Sequence, residues 1–229
     1  RYFETRAPEA LYDLENDPDE SVNLATDSTY AETLIDMRNR LNTYLESTAD
    51  LGFYPESLMS SSSPGQFAVL RKSLEGHIHK LVWIADLVQL PWHESHSKLE
   101  KALNSSDPWV RYTALIVCIM FGDESVSLVD RIRMISTNDA ELSVRFRAAE
   151  YLAITHADPS GNALLNVLYE AENAAEVLLI LNSIASLKDS GRMDPITLSM
   201  SEISDEALSQ SYNLIRNRVE YICPILSEQ

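Results

Sequence analysis

The amino-acid sequence repeats itself at a nearly constant spacing. Val110, Val144 and Val177 occupy equivalent positions in three similar segments, and the second step is one position shorter than the first. Each segment follows a shorter helical one and ends near a helix breaker, such as Gly122 or Pro159. A repeat of about 34 residues with two helices per unit predicts an α-solenoid, because a single helix pair cannot bury its apolar stripe whereas stacked pairs share a continuous core. The similar segments are 107–115, 142–152 and 175–184.

Residues 66–229 are predicted to be helical almost throughout. Shorter first helices are expected at 98–103, 125–135 and 162–171. Small residues allow the helices to approach closely where they pack, and these are Ala114, Ala148 and Ala149. A last helix at about 205–222 is expected to cap the stack with one apolar face, formed by Leu208, Tyr212, Ile215, Val219 and Ile222.

The motif Asp-Pro-Trp-Val-Arg at 107–111 resembles the signature of HEAT repeats. In that family an Asp before the second helix of a unit and a following Arg form ion pairs between units. Arg111 and Arg145 fit this role, whereas the third unit has Leu178 at the corresponding position. The resemblance therefore implies a short, degenerate, HEAT-like α-solenoid, and a non-repetitive helical bundle is the alternative.

Residues 1–56 have a different character and are predicted to form a short α+β segment. Residues 2–4 and 10–14 have the aromatic and alternating pattern of strands, and 16–20 has the composition of a turn. An amphipathic helix is expected at about 28–48, with the apolar stripe Leu34, Met37, Leu41 and Leu45.

The ends of this helix carry their own signals. Ser28 is the expected N-cap, and Glu32 in the first turn suits the helix dipole. Gly52 is expected to end the helix in a left-handed conformation. The serine-rich run that follows predicts a linker at 57–65, which divides the chain into a domain of residues 1–56 and a repeat domain of residues 66–229.

The chain is strongly acidic, with 18 Lys and Arg against 35 Asp and Glu and a net charge of −17. Such a field repels a phosphate backbone, so we expect no nucleic-acid partner. The same field would repel a sulfated polysaccharide, so we expect this chain to be a poor candidate for the surface that binds one. No apolar stretch approaches the roughly 20 residues that span a bilayer, so no membrane span is predicted. The start at Arg1 shows no leader, and we interpret the chain as a piece whose targeting signal lies upstream.

Few residues offer a catalytic or metal-binding pattern. His93 and His96 share a helical face and could meet at a metal, whereas His77 and His79 would diverge. Glu94 and Glu100 could each add a carboxylate. We interpret the region instead as a solvated polar segment and predict no metal site. A nucleophile elbow and a phosphate-binding glycine loop are both absent from the sequence, so no catalytic or cofactor-binding residue is assigned.

The cysteines and tryptophans are expected to pack rather than react. Cys118 lies in an apolar run and is predicted to be a buried thiol, and two distant cysteines do not define a disulfide framework. The three tryptophans are expected to pack between helices or against the first domain, although an exposed one could anchor a partner, and they are Trp83, Trp92 and Trp109.

Residues 8–20 and 23–25 resemble the end of the sulfatase catalytic domain, which often closes with a Glu-Leu-Tyr-Asp-Leu strand, an Asn-Asp-Pro turn and an Asn-Leu-Ala entry to the last helix. Here Ala10 replaces the usual Glu. The helix and its exit at 50–56 look like a bacterial subgroup similar to heparan N-sulfatases. In that subgroup a HEAT-like extension can follow, with a Val-Arg-Tyr motif like that at 110–112.

The resemblance implies a secreted or periplasmic parent enzyme that hydrolyses sulfate esters or sulfamates of sulfated glycans, using calcium and a formylglycine. The formylglycine arises in a Cys/Ser-x-Pro-x-Arg motif, and this motif matches at neither Cys118 nor Cys223. The near match at 62–66 has Gln66 where Arg is required. No catalytic, cofactor or metal residue is therefore assigned to this chain.

The resulting expectation is a non-catalytic C-terminal part of a sulfatase. Its partner would be the catalytic domain of the same polypeptide, and the helical repeats would support that domain, form a homo-oligomer or bind another protein. The alternative is a stand-alone HEAT-like protein–protein interaction module whose first residues resemble the family by chance.

Overall fold

The computed structural model describes residues 7–60, 69, 71–72, 74 and 76–224. The described part is mainly helical and contains no strand, which confirms the mainly α prediction. The helices are α1 (Ala31–Thr48), α2 (Glu56–Ser60), α3 (Ile78–Ala85), α4 (Trp92–Leu103), α5 (Pro108–Phe121), α6 (Val129–Asn138), α7 (Leu142–Ile154), α8 (Asn162–Glu170), α9 (Ala174–Asp189) and α10 (Asp205–Ile222).

Helices α4 to α9 follow one another as three pairs, each a first helix joined to a second by a short connection. The second helices, α5, α7 and α9, lie side by side, because α5 packs on α7 and α7 packs on α9. Helix α3 packs on α5 at one end of this row, and α10 packs on α9 at the other. The three small residues expected at close helix contacts, Ala114, Ala148 and Ala149, are completely buried.

Helix α7 joins the two halves of the core. Val144 and Tyr151 belong to a cluster with α3 to α6, whereas Phe146, Ala149 and Ala153 belong to a second cluster with α8 to α10. A helix that is apolar on both sides is buried on both sides. The two clusters of the core therefore meet at α7, which contributes buried residues to both.

The first connection between pairs is tied to the core by one buried tyrosine. The Tyr151 hydroxyl donates to the backbone carbonyl of Ser125, 2.9 Å away, and lies 2.9 Å from the Ser125 hydroxyl. Ser125 belongs to the 3-10 segment Gly122–Leu128, which begins where Gly122 takes a positive φ of 54° and ends α5. The predicted breaker at this position is thus confirmed.

The predicted helix at 28–48 forms, but both of its predicted caps are wrong. A 3-10 turn, Ser28–Tyr30, precedes α1, and the carboxylate of Asp27 rather than the hydroxyl of Ser28 accepts from the turn's backbone. At the other end Ala49 takes the left-handed conformation, with φ 45°, before the chain reaches Gly52. Gly52 lies instead in the 3-10 turn Leu51–Phe53, which the side chain of Asp50 caps.

The strand predicted at 10–14 is wrong, and the one predicted at 2–4 lies outside the described residues. Leu11 hydrogen-bonds to the side chain of Asn23 and to the backbone of Leu24, but no ladder of backbone bonds extends along the described segment. A strand needs a neighbouring strand to satisfy its backbone groups, and none is present in the described part. The turn at 16–20 does form, with Asp17 accepting from the backbone of Ser21 and Val22.

Part of the predicted linker is helical. Residues 56–60 form α2, which packs on α9, where the half-buried carboxylate of Glu176 accepts a hydrogen bond from Ser57. Burial raises the pKa of this Glu176 carboxyl, and the bond from Ser57 partly offsets that rise. Residues 61–65 of the predicted linker lie outside the described residues. Ala49 and Tyr54 already belong to the core that α3 to α7 form.

Helix α10 has the predicted bounds but only part of the predicted face. Ile215, Val219 and Ile222 are buried, whereas about half of the Tyr212 side chain is exposed. Ser211 has non-helical torsions that kink the helix, so the residues before and after the kink do not share one straight stripe.

One helical run in the described part, Pro108–Asn138, is long and apolar enough to cross a membrane by length and composition. The core helix of a soluble protein passes the same test, and nearly half of the tested window is buried inside the molecule. The run is also interrupted by the 3-10 segment at Gly122–Leu128. The absence of a membrane span stays a prediction.

We predict that Tyr151→Phe lowers the free energy of unfolding by about 1–2 kcal/mol, because the buried carbonyl of Ser125 loses its donor. Tyr221→Phe is the matched control, since Tyr221 is 51% exposed and its hydroxyl donates to a surface carboxylate, that of Asp189. Its effect should stay within about 0.5 kcal/mol. Urea unfolding measures both, and equal effects would contradict the anchoring role of Tyr151.

Candidate functional site

A series of charged contacts runs between successive helix pairs. Arg111 on α5 forms a two-pronged ion pair with Asp139, which precedes α7, with N–O distances of 2.6 and 2.7 Å. Arg145 on α7 pairs with Glu170 at the end of α8, 2.7 Å away. These are the two arginines that the sequence singles out, and each one contacts the next helix pair.

The Arg111–Asp139 pair is the more buried of the two. The side chains are only 13% and 6% exposed, and the remaining guanidinium nitrogen of Arg111 donates to the backbone carbonyl of Ser105. A desolvated ion pair needs such complete bonding, because each charge loses its water on burial. The pair therefore fixes how α5 and α7 lie relative to each other.

A second polar chain crosses the row of second helices. The guanidinium of Arg147 on α7 donates to the Tyr112 hydroxyl of α5 and to Glu150, and Glu150 accepts from Ser183 of α9. Burial opposes the charge on Arg147, but Glu150 and Tyr112 outweigh it and raise the guanidinium pKa. Three adjacent helices are thus linked through hydrogen bonds that the sequence does not reveal.

The four candidate histidines do not converge. His77 contacts Asp107 at 2.7 Å, whereas His79 contacts Glu46 at 3.0 Å, so this pair diverges as predicted. His96 packs edge-on against the ring of Trp92, and His93 lies 3.8 Å from Glu94. Within the described part of the chain, no group of three or more His, Cys, Asp or Glu side chains is arranged to hold a metal ion.

Both cysteines are free thiols. Cys118 is completely buried in α5, as predicted, and burial raises the pKa of its thiol to about 12. Cys223 is half-buried, and its thiol donates to the carbonyl of Ile196. A thiol with a raised pKa is a poor nucleophile at neutral pH, so the surroundings of Cys118 do not favour catalysis.

The tryptophans divide into two packed rings and one exposed ring. Trp92 packs edge-on against Phe121, and Trp109 packs against Tyr54 and Tyr112, so the packing prediction is confirmed for both. Trp83 on α3 is 50% exposed, and the packing prediction is wrong for this residue. Its neighbours on α3 turn toward the core, which leaves the indole at the surface.

The exposed indole borders a groove between α3 and α4. The groove encloses about 1030 Å³ and is lined by Lys80 and Trp83 from α3 and by Lys98 and Lys101 from α4. Within each helix the two residues are three apart, so they lie on one face. Both faces turn toward the groove. The sequence shows each pair but not that the two pairs meet.

Helix α1 presents an apolar face that the rest of the described chain leaves uncovered. Met37, Leu41 and Tyr44 are each more than half exposed, and none of the residues of α1 is fully buried. The opposite side of α1 contacts α3 and its neighbours through Asn42 and Glu46, which bond to Asp86 and His79. The exposed face of α1 is defined here by Met37, Leu41 and Tyr44.

Comparison of the chain with protein-family models, with curated proteins and with solved structures finds no match.

We predict that Arg111→Met lowers the free energy of unfolding by about 3 kcal/mol, because it leaves the buried carboxylate of Asp139 unpaired. The double variant Arg111→Met/Asp139→Leu should recover much of this loss, since both charges are then removed.

The control for that pair is Arg216→Met, because the Arg216–Glu220 pair is 55% and 39% exposed. An exposed pair of this kind contributes at most about 1 kcal/mol. Chemical denaturation compares the three variants. A loss at Arg111→Met no larger than that at Arg216→Met would contradict the buried pairing.

We also predict that Cys118 resists a thiol reagent at pH 8 in the folded protein. The Cys223→Ser variant leaves Cys118 as the single thiol. With a pKa of about 12, its thiolate fraction at pH 8 is roughly 1,000-fold below that of an ordinary cysteine. Labelling by a chromogenic disulfide should therefore be slow in buffer and complete in guanidinium. Rapid labelling of the folded variant would contradict the burial of this thiol.

Proposed function

We propose that this chain is the non-catalytic C-terminal part of a sulfatase and that it supports a catalytic domain supplied by the same polypeptide. The proposal rests first on the likeness of residues 8–25 to the end of a sulfatase catalytic domain. The observation that carries it in the structure is the exposed face of α1. An apolar patch that a helix leaves exposed marks a surface that another domain or protein covers.

The segment before α1 supports the same conclusion. Residues 9–11 run alongside 23–24 without a strand partner in the described part, and Arg38 on α1 holds Glu9 in an ion pair. The extended segment lacks a strand partner, and the helix that it contacts has an exposed apolar face. Both features are expected of one part of a larger unit in which a sheet packs on a helix. An upstream domain would supply the missing strands.

We further propose that the three helix pairs form a HEAT-like array. The contacts of Arg111 with Asp139 and of Arg145 with Glu170 support this, because each arginine reaches from one pair to the stretch just before the next second helix. The contribution of α7 to both clusters of the core supports it as well. In this proposal the array is a rigid extension that positions α1 and shapes the surroundings of the substrate cleft.

Catalysis itself belongs to the upstream domain in this proposal. Calcium and a formylglycine would be held there, in a secreted or periplasmic enzyme that acts on sulfated glycans. The residues of this chain do not fit those groups, because neither cysteine lies in a Cys/Ser-x-Pro-x-Arg motif and the described carboxylates form no metal-binding cluster. The gene upstream of Arg1 should encode that motif, and its absence would contradict the sulfatase assignment.

A second candidate is a stand-alone HEAT-like interaction module. The groove between α3 and α4 favours it, because a concave surface with a half-exposed tryptophan is of the kind that anchors a partner. The two candidates differ in the state of the exposed face of α1. In the sulfatase proposal the catalytic domain covers this face, whereas in a stand-alone module it stays exposed to solvent.

We predict that the isolated chain does not hydrolyse a chromogenic aryl sulfate, with or without added calcium, because it lacks the residue that becomes formylglycine. Release of the chromophore above the uncatalysed rate would contradict the non-catalytic role.

We predict that Leu41→Glu destabilises the longer polypeptide but leaves the isolated chain unchanged. Leu41 is 55% exposed here, and covering it in the longer protein would make the substitution cost about 2 kcal/mol. Leu214→Glu is the matched control, at 60% exposure on α10, with an effect within about 0.5 kcal/mol in both proteins. Thermal unfolding of both forms tests this, and an unchanged midpoint for Leu41→Glu in the longer protein would contradict docking through α1.

A further inference from the structure

We propose that the groove between α3 and α4 binds a short anionic saccharide. The groove is defined by Lys80 and Trp83 from α3 and by Lys98 and Lys101 from α4, which belong to its lining. The inference does not depend on the sulfatase proposal, because it rests only on the chemistry of these side chains and of their neighbours.

The groove is rich in positive charge, whereas the chain as a whole is acidic. The net charge is −17, and the chain has five lysines, of which three line this groove. None of the three forms a salt bridge within the described part of the chain, whereas most of the arginines there do. Unpaired lysines in a concave surface focus a positive potential that attracts an anion.

One carboxylate, that of Asp107, belongs to the described lining of the groove. Asp107 is mostly buried, contacts His77 and accepts from the backbone of Trp109, while Glu46 bonds to His79. The charge of the Asp107 carboxylate offsets part of the lysine charge, and three lysines against one aspartate leave the described lining net positive. Of the described groups that line the groove, the three lysine ammonium groups are the ones left without a partner of opposite charge.

Trp83 supplies the second element of the site. Its half-exposed indole lies beside Lys98, and the same two side chains also line a smaller groove of about 230 Å³ next to Arg38 and Gln89. They form the ridge between the two grooves. A flat aromatic face offers apolar contact to the C–H face of a sugar ring, while the lysines on either side meet the anionic substituents.

The remaining lining fits a hydroxyl-rich ligand rather than a nucleic acid. Ser97, Ser106 and Asn104 place hydroxyl and amide groups along the α4 side, and such groups both donate and accept hydrogen bonds, as sugar hydroxyls do. A single-stranded nucleic acid is bound along several stacked bases and a long phosphate backbone. The groove offers one indole, and the acidic surface beyond it repels an extended polyanion.

The direct test is calorimetric titration of the whole chain with a heparin-derived tetrasaccharide, an oligogalacturonate and a neutral oligosaccharide of equal length. We expect saturable binding of at least one anionic saccharide and at least about tenfold weaker binding of the neutral one. The affinity should fall as salt rises, since the lysines are exposed. The sulfated and carboxylated ligands show which anionic group is preferred.

The variants identify the site. Lys98→Gln/Lys101→Gln and Trp83→Phe should each weaken binding about tenfold, while circular dichroism stays unchanged because these side chains lie at the surface. Lys72→Gln is the matched control, since Lys72 is an exposed lysine that does not line the groove. It should leave the affinity within about twofold.

Four results would overturn the assignment: no binding of either anionic saccharide at millimolar concentration, equal binding of the neutral oligosaccharide, an equal loss with Lys72→Gln, or tighter binding of an oligonucleotide of the same charge. None of them bears on whether an upstream sulfatase domain exists, so this test and that of the proposed function can fail independently.

Discussion

Burial of α7 on both sides is the constraint on which the rest of the structure depends. Because one side of α7 packs with α3 to α6 and the other with α8 to α10, the two parts of the core are joined through it. The ionic and polar contacts follow the same path, since Arg111 pairs with Asp139 just before α7, and Arg147 links α7 to α5. Buried polar groups that must find particular partners tolerate few alternative registers, which is a reason for the helix pairs to stack in one way.

Much of this arrangement can be predicted from the sequence because it is local or periodic. The near-constant spacing of the three similar segments and the breakers at Gly122 and Pro159 indicate the helix pairs, and the Asp-Pro-Trp-Val-Arg motif singles out Arg111. The strand prediction at 10–14 failed because a strand depends on a partner that its own sequence does not contain. The predicted caps of α1 failed because Asp27 and Ala49 compete with Ser28 and Gly52 for the same role within a few residues.

The candidate surfaces were the hardest to predict, since they depend on how distant elements meet. Lys80 with Trp83 and Lys98 with Lys101 are visible as pairs in the sequence, but only the packing of both α3 and α4 on α5 brings the two pairs to one groove. The net charge of −17 pointed away from anionic ligands because it averages over the whole chain. The exposed face of α1 and the groove differ in chemistry: the first is apolar, and the second carries three lysines.

The central claim is that another domain of the same polypeptide completes α1, and hydrogen exchange tests it most directly. Amide exchange should be measured for the isolated chain and for the longer polypeptide under the same conditions. The account predicts that the α1 amides exchange about tenfold or more slowly in the longer protein, while those of α7, which is already buried, exchange at similar rates in both. Equal exchange of α1 in the two proteins would contradict the claim, because it would show that nothing covers the exposed face of α1.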